Sequence, residues 1–280
     1  MPVGTRQDTR AGLALYAGCR RHVLLAQRAA CHAVSAVGSR ALPGPRLAWR
    51  PPMPAERWAD LLATWRRDVG EFTRFALVLR RQHSRPGFAL LLLRSGTAVA
   101  FVKVREAAGP LRREQQALDL LGQRRAPGMH VPVPLAIGIS GPWTWLGLSA
   151  MASRPHQPEQ DAPVEQVVAQ LQERLRPMPR PPGTPAHWTP MHGDLTPWNL
   201  RWAAGQRWLL DWEDVGYGPP GADALYYRAT CASVGVKAPP ITTSDEVVAF
   251  WHSTLGNRGG TTADRKLSSI LIRLMRENLH

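Results

Sequence analysis

The chain of 280 residues has three cysteines, three lysines and no apolar run near the ~18 residues that a transmembrane helix needs. Cys19, Cys31 and Cys231 are too few, and odd in number, for a disulfide framework, so a reducing compartment is expected. The spacing of Cys19, His22, Cys31 and His32 fits no standard zinc finger. The longest apolar stretch considered for a membrane span, Ala89 to Leu93, is far too short for one. Disorder throughout and a coiled-coil rod are excluded by 44% hydrophobic and 20% charged residues, which suffice for a sizeable core.

Lysine is scarce because arginine replaces it. The net charge of +14 lies wholly in residues 1–150, with 22 Lys and Arg against 8 Asp and Glu, whereas residues 151–280 carry 13 of each. Residues 1–50 hold eight Arg and a single acid, Asp8. Nucleic-acid contact through residues 1–50 is therefore a secondary expectation. Arg20-Arg21 before His-Val-Leu-Leu has the look of a twin-arginine signal, but Gln27 and Arg28 cut its apolar part short. A cytoplasmic location is expected, with the oligomeric state open.

Residues 1–55 read as a basic extension, partly helical or disordered, with helical stretches such as Ala11 to Ala36. In Ala55 to Val69, Trp58, Leu61, Leu62 and Trp65 share one helical face. Strands are expected at Phe75 to Arg80, Phe88 to Arg94 and Thr97 to Val104, the last two joined at Ser95-Gly96. A helix at Leu111 to Gly122 and strands at Val131 to Ile139 and Trp143 to Met151 complete a β-β-β-α-β-β half. The Pro-containing Arg154 to Pro158 reads as a hinge. Beyond it lie helices at Val164 to Leu175, Ala222 to Ala232, Asp245 to Leu255 and Ala263 to Glu277, with a short strand at Trp208 to Leu210. The fold class is α+β, divided as 1–55, a sheet lobe 56–152 and a mainly helical lobe 153–280.

The most informative segment is Met191-His-Gly-Asp-Leu-Thr-Pro-Trp-Asn199, followed by Asp211-Trp-Glu213-Asp214 at the end of an apolar strand. Asp194, Asn199 and Asp211 would converge at one loop edge. Hard oxygen ligands with open positions suit Mg²⁺ shared with nucleotide phosphates, and one carboxylate can instead take a proton from an attacking hydroxyl. Phosphoryl transfer needs little else.

His192-x-Asp194-x4-Asn199 with the later Asp211 resembles the catalytic loop and metal aspartate of the protein-kinase-like superfamily. His-Gly-Asp together with Asp-Trp-Glu is similar to its aminoglycoside phosphotransferase and choline kinase branch, as are the downstream Gly218, Pro219 and Asp223. The resemblance covers about residues 70–230. It implies a two-lobed protein-kinase-like fold, a small antiparallel sheet lobe with one key helix, and the cofactors ATP and Mg²⁺. Asp194 is then the base, Asn199 and Asp211 the metal ligands, and His192 a support of the loop. Glu213 takes a supporting place, and Asp223 either tethers the loop or caps its own helix. Lys103, on the third strand and the only lysine before residue 237, would be aimed at the phosphates by Glu114 of the next helix. The sequence departs from the superfamily in having no G-x-G-x-x-G before Lys103. Ser84 and Gly87 are the phosphate-contact candidates left in that loop.

Only eleven residues separate Asp211 from Asp223, with neither an activation segment nor Ala-Pro-Glu, so the acceptor is expected to be a small hydroxyl compound. A sugar, an amino alcohol and an aminoglycoside-like molecule are the candidates. A polycationic aminoglycoside would call for a carboxylate-rich site, and the second half is net neutral. The competing reading is a nucleotide-binding pseudokinase or binding module anchored by its basic N-terminus. Asp214 is expected to face solvent.

Overall fold

The computed structural model describes all residues except 1–4, 16–17, 44–48, 80–85, 124–127, 160, 237–242, 259–260 and 278–280. Ser84 lies outside the described residues. The chain divides into two compact units, one of residues 1–80, 87–111 and 132–156, the other of residues 81–86, 112–131 and 157–280. The expected α+β class is what the structure shows.

In the first unit the apolar runs pair as expected. β1 (Arg74–Leu79), β2 (Gly87–Arg94) and β3 (Thr97–Arg105) join β6 (Trp143–Ser149) and β5 (Pro134–Ser140) in an antiparallel sheet of order β1-β2-β3-β6-β5. The β2–β3 turn is Ser95-Gly96, with φ of +50° and +77°, the backbone of a two-residue hairpin. Pro134 starts an edge strand, where its missing N–H breaks no ladder. Helix α3 (Ala55–Asp68) buries Leu61 and Trp65 against Phe88, Leu90, Leu92, Val102 and Trp145.

The basic N-terminal segment forms α1 (Arg6–Ala14) and α2 (Arg21–Val37) in place of one long helical stretch. Asp8 accepts a hydrogen bond from the Gly96 backbone N–H at 2.8 Å, and Ala11 packs with Ala76, Leu91 and Leu93. The one acid in residues 1–50 thus fastens α1 to the β2–β3 turn.

In the second unit, α4 (Ala108–Gln123), which starts in the first, is followed by β4 (Met129–His130); the strand expected at Val131 to Ile139 lies beyond it and runs from Pro134 to Ser140 as β5. The chain crosses between units at His156–Gln157, inside the stretch read as a hinge, and Gln157–Pro158 pair as strand β7. A sheet of order β4-β10-β9-β7 uses β9 (Leu200–Ala203) and β10 (Gln206–Leu209). A second ladder pairs β8 (Thr189–Met191) with β11 (Gly216–Gly218). Around them lie α5 (Val164–Leu175), α6 (Ala222–Ser233), α7 (Asp245–Asn257) and α8 (Thr262–Glu277). Met191, Leu225, Trp251, Leu271 and Met275 form the core shared by α6, α7 and α8.

Candidate active site

Two short ladders in the second unit bring distant motif residues together. β9 and β10 are antiparallel, Leu200 facing Leu209, and the Leu210 N–H donates to the Asn199 carbonyl at 3.0 Å. Asn199 and Asp211 therefore leave the same end of one hairpin. β8 and β11 pair Met191 with Gly216, which sets the His192–Asp194 turn beside the Asp211–Asp214 turn.

The approach is so close that position 193 has no room for a side chain. A Cβ there would lie 2.1 Å from the Asp214 carbonyl oxygen, and the φ of Gly193 is +78°. Gly193→Ala is expected to cost at least the ~1–2 kcal/mol of left-handed backbone, with the clash added. A melting temperature lowered by several degrees, with turnover down about tenfold or more, checks this; an unchanged melting curve contradicts the packing.

Asp223, in the first turn of α6, carries the loop from beneath. Its carboxylate accepts from the backbone N–H of His192 at 2.7 Å and of Gly193 at 3.0 Å. Burial pushes its pKa up to about 6, and those two hydrogen bonds pull against the rise. The fully buried His192 ring accepts from the Asp194 N–H at Nδ1, 3.1 Å away, and places Nε2 3.1 Å from the Leu210 carbonyl. Those partners define a neutral tautomer with the proton on Nε2. The ring packs on Trp212, centroids 4.5 Å apart.

Asp194 keeps one-fifth of its side chain exposed. The Asn199 amide donates to its backbone carbonyl and to Oδ2, both at 2.9 Å, while Oδ1 faces the Arg258 guanidinium at 3.8 Å. Burial raises the Asp194 pKa to about 7, Arg258 opposes the rise, and Asp211 and Asp214 add to it.

A second acidic group lies in the same unit. Carboxylate oxygens of Glu114, Asp211 and Glu213 lie within 4.8 Å of one another. Glu114 and Glu213 are buried, and a Glu114 oxygen accepts the Trp212 N–H at 3.2 Å. Three carboxylates this close repel one another unless protons or a cation intervene. They are hard oxygen donors, the class that Mg²⁺ selects, so the donor set fits that ion. Asp211 also holds φ +63°, a left-handed backbone costing ~1–2 kcal/mol for a residue with a Cβ.

The remaining described candidates, Lys103 and Gly87, fall in the first unit. Lys103 sits mid-strand on β3, facing Ala89 and Leu146 across the ladders, and is 4% exposed. Gly87 has a packing reason of its own, since a Cβ there would meet the Val104 carbonyl oxygen at 2.2 Å.

Sequence reasoning missed two residues. Asp214 does not face solvent: its side chain is four-fifths buried and lies 3.5 Å from Arg258. Arg258 ends α7, far along the chain from the motif, and nothing in its local sequence marks it. Its guanidinium also donates to Tyr226 Oη at 3.0 Å and to the Gly193 carbonyl at 3.2 Å.

The model of the phosphotransferase enzyme family matches residues 138–258. The resemblance read from His192–Asn199 and Asp211 is borne out over that span. No curated protein matches the chain. Among solved structures, the chain is similar to the GDP and kanamycin complex of APH(2")-IIia at 15% identity, covering 78% of this chain and 98% of that one with a TM-score of 0.44. It is similar to aminoglycoside phosphotransferase APH(3'')-Id from Streptomyces rimosus at 16% identity, covering 79% and 98%, TM-score 0.44. A fructosamine-3-kinase from Haemophilus somnus matches at 11% identity, 80% and 98% coverage, TM-score 0.45.

Proposed function

We propose that this protein, whose residues 138–258 match the phosphotransferase enzyme family, moves the γ-phosphate of ATP to a hydroxyl of a small molecule. The observation that carries this reading is the Asp194 carboxylate, braced at Oδ2 by Asn199 and open at one edge, in the same unit as the Glu114, Asp211 and Glu213 oxygens.

The roles divide by position. Asp194 takes the acceptor hydroxyl's proton at Oδ1, while Asn199 keeps the carboxylate from rotating. His192 and Asp223 hold the backbone of that turn. Asp211 is the central metal ligand, joined by Asn199 as the motif implies or by Glu213 and Glu114 as the oxygen cluster suggests. Bound Mg²⁺ supplies neutralisation of phosphate charge. Lys103 contributes a positive charge to the nucleotide phosphates, and Gly87 and Ser84 are the further phosphate-contact candidates. The acceptor is a sugar, an amino alcohol or an aminoglycoside-like hydroxyl compound.

A base with its pKa raised to about 7 is protonated, and idle, below that pH. The acceptor kcat/KM is therefore expected to climb about tenfold per pH unit below 7 and to level off above it. A flat profile from pH 5 to 8 contradicts the role of Asp194. The reading as a whole is tested by Mg²⁺-dependent ADP release across a panel of sugars, amino alcohols and aminoglycosides. Acceptor-stimulated release supports it. Nucleotide binding without release on any acceptor, together with salt-sensitive retention on DNA, favours a binding module.

A further inference from the structure

We infer that Arg258 is the positioning residue of this site: its guanidinium joins the Gly193–Asp194 turn to the Asp214 turn and fixes the Oδ1 edge of Asp194. The inference rests on the phosphoryl-transfer reading above.

The contacts divide into two kinds. Neutral oxygens anchor the guanidinium through hydrogen bonds, Tyr226 Oη at 3.0 Å and the Gly193 carbonyl at 3.2 Å. The two carboxylates stand further off, Asp194 Oδ1 at 3.8 Å and Asp214 Oδ2 at 3.5 Å, inside ion-pair range. Arg258 thus supplies charge to Asp194 with its hydrogen-bonding donors aimed elsewhere, and Oδ1 stays available to an acceptor hydroxyl. A carboxylate gripped by a short bidentate pair would lose that availability.

The seat is rigid. Tyr226 stacks on Trp251 at 4.2 Å and 15°, and Trp251 Nε1 donates to the Ala222 carbonyl at 2.8 Å. The guanidinium lies over the Tyr226 ring, 5.6 Å from its centroid. The same helix, α6, supplies Asp223, which holds the turn through its N–H groups, while Arg258 holds it through the Gly193 carbonyl. The turn is gripped from both sides of its backbone. A lysine could not serve, because one ammonium cannot span four acceptors in a planar fork.

The test uses full-length Arg258→Ala and Arg258→Lys with two readouts. The first is amide hydrogen exchange of residues 191–199. It is expected to accelerate about tenfold in Arg258→Ala while α5 exchanges as in wild type. The second is steady-state kinetics. A base displaced by about 1 Å is expected to lower kcat about 10²-fold with the ATP KM little changed. Because Arg258 is partly exposed, added guanidinium should restore part of that kcat in Arg258→Ala but none in Asp194→Asn.

Unchanged exchange at 191–199 overturns the inference whatever the activity. Accelerated exchange in a protein whose wild type transfers no phosphate supports the anchor and contradicts the phosphoryl-transfer reading, so the two failures are distinct. If Arg258→Ala does not fold, Arg258→Lys decides: a folded variant with depressed kcat supports the inference, and wild-type kcat overturns it.

Discussion

Asp194→Asn is expected to lower kcat by about 10²–10⁴-fold while nucleotide affinity stays within a few-fold of wild type. The amide keeps the size of the carboxyl group and can still pair with Asn199, but it cannot take a proton. The substitution also removes a negative charge from beside Asp211 and Asp214, a charge that burial already disfavours. The melting temperature is therefore expected to hold or rise. Lost turnover with preserved or increased stability is the mark of a group kept for chemistry at a cost to the fold. Titration calorimetry with Mg-ATP and single-turnover kinetics measure the two halves separately. A parallel loss of nucleotide affinity and kcat would move Asp194 from the base to the metal.

Asp211→Asn is expected to fail in the opposite way. Mg²⁺-supported turnover should fall about 10²–10³-fold, the scale of losing a principal charge-stabilising group. Mg-ATP affinity should drop to the level that wild type shows for ATP without Mg²⁺, and the metal-free affinity should not change. Asparagine tolerates the left-handed backbone that Asp211 adopts at φ +63°, so the loop should survive. Removing one of three crowded carboxylates should also relieve repulsion with Glu114 and Glu213. An unaltered Mg²⁺ dependence in Asp211→Asn contradicts the metal role.

Much of this was legible in the residue order. Long apolar runs with clear turns give away β2, β3 and β6, since most of each strand is buried in one sheet. The helix at Val164–Leu175 is readable for a related reason, a single apolar face bounded by proline-rich stretches. Other elements leave no periodic trace. β8 and β11 have three residues each and β7 has two, too few for any alternation to register. Their existence depends on partners far along the chain, and the β8–β11 pair is what sets the His192–Asp194 turn against the Asp211–Asp214 turn.

Within the site the same division holds. Asp194, Asn199 and Asp211 stand out because their spacing on short loops is itself the signal. Arg258 and Asp214 do not, because a guanidinium that reaches across α6 and α7 follows from packing alone. Glu114 was legible as a helix residue, but its complete burial beside Asp211 and Glu213 was not, since Arg112 and Arg113 next to it suggest a solvated face. Asp8 is the converse: one acid among eight arginines looks incidental in composition and turns out to fasten a helix to a hairpin.

Transfer of phosphate to a small-molecule hydroxyl by Asp194 is tested most directly by ³¹P NMR of the reaction. Wild type and Asp194→Asn are each incubated with Mg-ATP and the acceptor panel, and the spectra are followed for a new phosphomonoester signal. That signal is expected to grow in step with ADP for wild type with at least one acceptor and to be lost almost completely in Asp194→Asn. Phosphomonoester formed at the same rate by both proteins, or ATP left intact by wild type with every acceptor, would contradict it.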